Sequence, residues 1–118
     1  MFRVKLLIIL VFALLGLMAC FDSAPQKFVI ADSKTYEASL FRQNCAVCHG
    51  PEADGRTLDD GKIVPSLREG EFKAKTEGEI YHQISEGGNG MPLFRTQLTE
   101  RELRLMTDFV KRDLRSGK

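Results

Sequence analysis

Apolar residues recur at helical spacing toward the C-terminal end of the chain, where Leu103, Met106, Phe109, Val110 and Leu114 form one stripe between charged positions. Leu98, Thr99, Glu102 and Leu103 supply a capping box and a hydrophobic staple at the head of that stripe, so a helix is expected to start there and run on to Leu114. A second capping box, Thr76-Glu77-Gly78-Glu79, starts a helix at about Glu77. Further upstream, Leu40 and Phe41 mark the buried side of a helix expected from about Lys34 to Ala46, with Asp32 or Ser33 near its cap. From Gly50 to about Glu71 no period is sustained, and Asp54-Gly55 and Asp60-Gly61 read as turns. Phe28-Val29-Ile30 is the only strand candidate, so the expected fold class is all-α.

The N-terminal pattern is of a different kind. Arg3 and Lys5 precede an apolar run from Leu6 to Met18 broken only by Gly16, the layout of a signal peptide. A membrane-spanning helix needs about 20 apolar residues, which favours an export signal over a permanent anchor. Leu17-Met18-Ala19-Cys20 resembles the bacterial lipoprotein box, which implies a lipid-modified Cys20 and a domain held on the periplasmic side of a bacterial membrane. The expected organisation is a signal over residues 1–19, a tether over 20–33 and a single domain over 34–118. Without the signal, 99 residues remain with 15 Lys and Arg against 16 Asp and Glu, a near-neutral balance. There is no basic stripe interleaved with aromatics, so no nucleic-acid partner is expected.

The chemistry is concentrated in Cys45-Ala46-Val47-Cys48-His49. A C-x-x-C-H run reads as an attachment site for c-type haem. Two thiols three positions apart lie near one another on a helical turn, so each can form a thioether with one haem vinyl group, and His49 then meets the iron from one face. Zinc would need two further ligands, and the rest of the chain offers only His82 and Cys20. A redox disulfide would be expected beside a βαβ pattern, which is not found. One haem c per chain is therefore expected, and it would help a domain that is marginal on its own core.

A six-coordinate electron-transfer haem takes a second axial ligand, usually His or Met. Met1 starts the chain, Met18 lies in the signal and Met106 belongs to the C-terminal stripe. His82 points about 200° from both Ile80 and Ile84 on its helix and is expected to face solvent. Met91 sits in Gly87-Gly88-Asn89-Gly90-Met91-Pro92, where glycines let the backbone approach a flat ring and Pro92 stiffens the exit. Met91 is the expected ligand.

From about Tyr36 to Leu114 these motifs together resemble a class I cytochrome c. Leu40 through Gly50 is similar to the family's first helix and haem-attachment turn, Ile63-Val64-Pro65-Ser66-Leu67 to its proximal segment, and Gly90-Met91-Pro92-Leu93-Phe94 to its distal methionine loop. The resemblance implies a few helices wrapped around one covalently attached haem, and a hydrogen bond from the His49 ring to the Pro65 carbonyl that orients the imidazole. One departure is Glu37, where the family often has a glycine facing the C-terminal helix; Ala38 is the small residue nearest that place.

The expected function is single-electron transfer with His49 and Met91 bound throughout, between a redox donor and acceptor protein. No phosphate loop, nucleophile triad or second cofactor motif points to independent catalysis. The alternatives are a haem subunit of a larger membrane oxidoreductase and a gas-binding haem sensor with a labile Met91.

Overall fold

A computed structural model describes residues 2–18 and 26–115. Helix α1 spans Phe2–Met18, the signal-like run, and among the described residues no helix is long and apolar enough to cross a membrane. Cys20 and its expected lipidation lie outside the described residues.

The domain is built from α2 (Tyr36–Asn44), α3 (Ala46–His49), the short strands β1 (Arg56–Thr57) and β2 (Ile63–Val64), α4 (Glu77–Glu86), α5 (Glu100–Asp108) and a wide π-type segment, Phe109–Leu114, that continues α5. Both capping boxes form as the sequence requires. Thr76 accepts from the Glu79 N–H and Thr99 from the Glu102 N–H, with each glutamate reaching back to the cap. Helix α2 starts later than expected, because Thr35 rather than Asp32 or Ser33 caps it, accepting from the Ala38 N–H at 3.4 Å. The Ser33 hydroxyl instead accepts from the Thr35 N–H at 3.3 Å.

The core gathers Leu40 and Phe41 of α2, Ile80 and Ile84 of α4, and Leu103, Met106, Phe109, Val110 and Leu114 of the C-terminal segment. Phe109 lies against the rings of both Phe41, at 6.0 Å, and Phe28, at 5.4 Å edge-on. Ala38, the small residue nearest the departure at Glu37, is fully buried on α2.

Two stretches differ from the sequence expectation. Phe28-Val29-Ile30 forms no strand, and residues 28–31 are packed onto the domain instead of hanging from it as part of a tether. Ile30 is fully buried, and the Glu52 carboxylate accepts the N–H groups of Ile30 and Ala31 at 2.9 and 2.8 Å. The buried Arg68 guanidinium donates to the Phe28 carbonyl at 2.8 Å and to the Glu52 carbonyl, and pairs with the Glu52 carboxylate at 3.2 Å. The loop after residue 50, in turn, contains an antiparallel hairpin, Arg56 opposite Val64 and Thr57 opposite Ile63. Strands of two residues are too short to show a period. The Asp60-Gly61 turn signal is fulfilled, with the Leu58 N–H on the Lys62 carbonyl at 2.8 Å.

Candidate haem-binding site

Cys45 is the joint between α2 and α3. Its N–H closes α2 on the Phe41 carbonyl at 2.8 Å, and its carbonyl opens α3 by accepting from Cys48 at 3.1 Å and His49 at 2.9 Å. The C-x-x-C-H run is therefore wound into one helical turn, with both cysteines half-buried and not joined to each other as a disulfide. Burial pushes the Cys45 thiol up to about 12, with the adjacent Cys48 adding to the shift, so it stays protonated at neutral pH.

The chain then turns under His49. Gly55 donates to the His49 carbonyl at 2.9 Å, and Leu67 donates to the Ala53 carbonyl at 2.9 Å, laying the attachment loop along the segment that carries Pro65. Gly55 permits this approach: a Cβ there would meet the Val64 carbonyl oxygen at 2.5 Å and the Ser66 nitrogen at 2.7 Å.

Burial lowers the His49 pKa, opposed by the Pro65 carbonyl, which favours the protonated ring. A neutral imidazole keeps one nitrogen free as a metal ligand. Its Nδ1 is the buried side-chain polar atom left without a hydrogen-bond partner among the described residues. Pro65 thus stands beside the imidazole, as the family resemblance implies, but the hydrogen bond to Nδ1 is not closed. A buried donor left in this state costs about 1–3 kcal/mol. A group that fixed the ring from its other nitrogen, with Nδ1 turned onto Pro65, would recover that cost, so the residues present suit a haem ligated by His49.

Met91 is half-buried against the core, at the end of a two-residue turn. Gly88 and Met91 exchange hydrogen bonds at 2.9 and 3.0 Å, and the central residues Asn89 and Gly90 have φ of 57° and 86°. Positive φ at both positions is what a primed hairpin turn requires, and Asn-Gly is its preferred sequence. From α4, the Gln83 amide holds this loop by donating to the Gly87 carbonyl at 2.9 Å and the Gly88 carbonyl at 3.3 Å, and it reaches Met91 Sδ at 3.8 Å. Sequence reasoning missed Gln83. The available signal was a polar residue on the flank of the Ile80–Ile84 buried face, eight positions before the methionine. His82 is exposed, as expected. A surface depression between α4 and α5, lined by Glu77, Tyr81, Arg104 and Asp108, contains none of the expected haem-site residues.

Comparison with known proteins bears on this arrangement directly. The family model described as cytochrome c oxidase, cbb3-type, subunit III matches residues 36–110, from the first residue of α2 into the π-type segment. The chain belongs to this family of c-type cytochromes. Among curated relatives, the cytochrome bc1 complex cytochrome c subunit of Corynebacterium efficiens is 37% identical over 73 residues, which are 61% of this chain and 23% of that protein. Cytochrome c6 of Parathermosynechococcus lividus is 29% identical over 73 residues, 62% of this chain and 82% of the relative, and cytochrome c6 of Synechococcus elongatus matches to the same extent. No solved structure matches the chain. Membership of the family implies an electron carrier with covalently bound haem c and its iron, and Cys45 and Cys48 have the spacing that attachment needs. It also agrees with the all-α architecture expected from the sequence.

Proposed function

We propose that this c-type cytochrome carries single electrons at a membrane surface, with haem held as thioethers by Cys45 and Cys48 and ligated axially by His49 and Met91. The observation that carries this reading is the buried, unpartnered Nδ1 of His49 beside the Pro65 carbonyl, in the same helical turn as both thiols. Haem supplies the Fe(II)/Fe(III) couple when bound. Cys45 and Cys48 would hold the haem through thioether bonds to its two vinyl groups. His49 would ligate as the neutral imidazole, with Pro65 fixing the ring, and Met91 would supply the second ligand from its turn. Thioether ligation favours ferrous iron, so the potential lies above that of a bis-His site. In this reading no substrate bond is made or broken.

Acid–organic extraction of the matured protein tests attachment. Haem should stay with the wild-type chain and be extracted from a Cys45→Ala, Cys48→Ala double variant. Extractable haem in the wild type contradicts the assignment.

The membrane association we propose runs through Cys20, after removal of residues 1–19, and puts the domain on the periplasmic side. The lipoprotein-like Leu17-Met18-Ala19-Cys20 supports it. Several acyl chains, at roughly 0.8 kcal/mol per buried CH₂, would hold the protein durably. A mass spectrum of the mature N-terminal peptide tests this, expecting an acylated Cys20 and contradicted by an unmodified one.

A second reading, as a haem subunit of a larger membrane oxidoreductase, is favoured by the matching family's description and by the bc1-complex relative. Co-purification with such an enzyme in detergent that strips lipid contacts supports it; migration as a lone monomer supports the mobile carrier.

A further inference from the structure

Lys62 ends the turn before β2, and its side chain crosses to the Met91 turn, where Nζ donates to the Asn89 carbonyl at 3.0 Å. It lies so close over Gly90 that a Cβ there would fall 1.4 Å from Nζ and 2.9 Å from Cε. The lysine backbone is itself fixed. Its N–H donates to the Asp60 carboxylate at 3.0 Å, and its carbonyl accepts from Leu58 at 2.8 Å. Three residues further on is Pro65, whose carbonyl acts on His49. The segment from Lys62 to Pro65 thus touches the Met91 turn at one end and the His49 ring at the other, while Gln83 holds the turn from the α4 side.

We propose that Lys62 is a positioning residue that clamps the Met91 turn, and so sets how readily the Met91 sulfur leaves the iron. The proposal rests on the reading of His49 and Met91 as axial ligands. To detach, Met91 must carry its turn outward. Asn89 and Gly90 are exposed, so the turn has little burial of its own to resist that movement. What opposes it is the pair of Gly88–Met91 hydrogen bonds, the Gln83 amide on the inner side and the Lys62 ammonium on the outer side. Lys62 acts on the exposed carbonyl without touching sulfur or iron, so its removal should change the rate of ligand exchange more than the ligand set.

The test is displacement of Met91 by added imidazole in the ferric holoprotein, followed through the sulfur-to-iron charge-transfer band. Lys62→Met keeps the aliphatic stem and removes the donor, Lys62→Arg keeps a donor, and urea unfolding of each variant records global stability. Lys62→Met is expected to exchange roughly three- to tenfold faster than wild type, the scale of one lost charge-assisted hydrogen bond at an exposed site. Amide exchange at Gly88 and Met91 should accelerate in parallel, with urea unfolding losing no more than this one hydrogen bond contributes and Lys62→Arg near wild type. Unchanged displacement in Lys62→Met, with the band present in both proteins, overturns the clamp alone. A wild-type holoprotein without the band overturns the ligand reading on which the clamp rests.

Discussion

Gln83 Nε2 stands 3.8 Å from Met91 Sδ while donating to the Gly87 carbonyl at 2.9 Å. One amide therefore both closes the glycine loop and touches the sulfur it presents. With Met91 as the proposed ligand, a donor on the thioether would withdraw electron density that ferric iron needs more than ferrous iron does, so the contact would raise the potential. Gln83→Leu should lower the reduction potential on the order of 20–60 mV, the equivalent of one modest hydrogen bond for a single electron. Redox titration checks this, and an unchanged or higher potential counts against it.

The core was largely legible in the sequence, because α4 and α5 announce their starts locally. Thr76 with Glu79 and Thr99 with Glu102 satisfy backbone donors within one turn, and neighbouring residues suffice to read them. The C-x-x-C-H turn and the Asn-Gly turn before Met91 are local in the same way. Packing of Phe28 and Ile30 was not legible, since it depends on Glu52 and Arg68, 22 to 40 positions away. Lys62 escaped notice for the same reason, since its partner is the Asn89 carbonyl 27 positions on, whereas Gln83 acts on carbonyls only four and five residues ahead and was readable as a polar residue flanking the buried face of α4.

Arg68 is the buried charge that binds the N-terminal segment to the attachment loop, with its side chain 2% exposed and Glu52 at 29%. Arg68→Ala leaves the carbonyls of Phe28 and Glu52 without this donor and the Glu52 carboxylate without its cation. Destabilisation of about 2–4 kcal/mol is expected, somewhat under a fully buried pair because Glu52 is partly solvated. Urea unfolding of the holoprotein measures it. A loss below about 0.5 kcal/mol, the range of ordinary surface changes, would mean that the staple is dispensable.

Ala38 has no exposed surface, so Ala38→Leu should overpack the core around α2 and cost about 1–3 kcal/mol. Ala38→Gly loses a buried methyl together with the helix preference of alanine, about 1–2 kcal/mol. Thermal unfolding measures both; a leucine variant as stable as wild type would show that the packing around Ala38 has slack.

Tyr36 donates to Glu102 at 2.5 Å, tying the start of α2 to the first turn of α5. That hydrogen bond, with those from the Thr99 backbone and hydroxyl, holds the Glu102 carboxyl at about 2, below the ordinary carboxylate range. A carboxyl depressed in the folded state stabilises fully above its unfolded value of about 4.3, and the benefit is lost as pH falls from there toward 2. Glu102→Gln should therefore lower Tm at pH 7, and the difference from wild type should shrink between about pH 4.5 and pH 2. A Tm difference that stays constant across that window contradicts the role given to the ionised carboxylate.

The most direct test of the account is the near-infrared and visible spectrum of ferric holoprotein in wild type and Met91→Ala, with the reduced forms exposed to carbon monoxide. The account predicts a low-spin wild type with a sulfur-to-iron charge-transfer band and no carbon monoxide shift. In Met91→Ala the band should disappear and carbon monoxide should bind readily. A wild type that lacks the band, or that binds carbon monoxide as readily as the variant, would contradict axial ligation by His49 and Met91 and move the protein toward a gas-binding role.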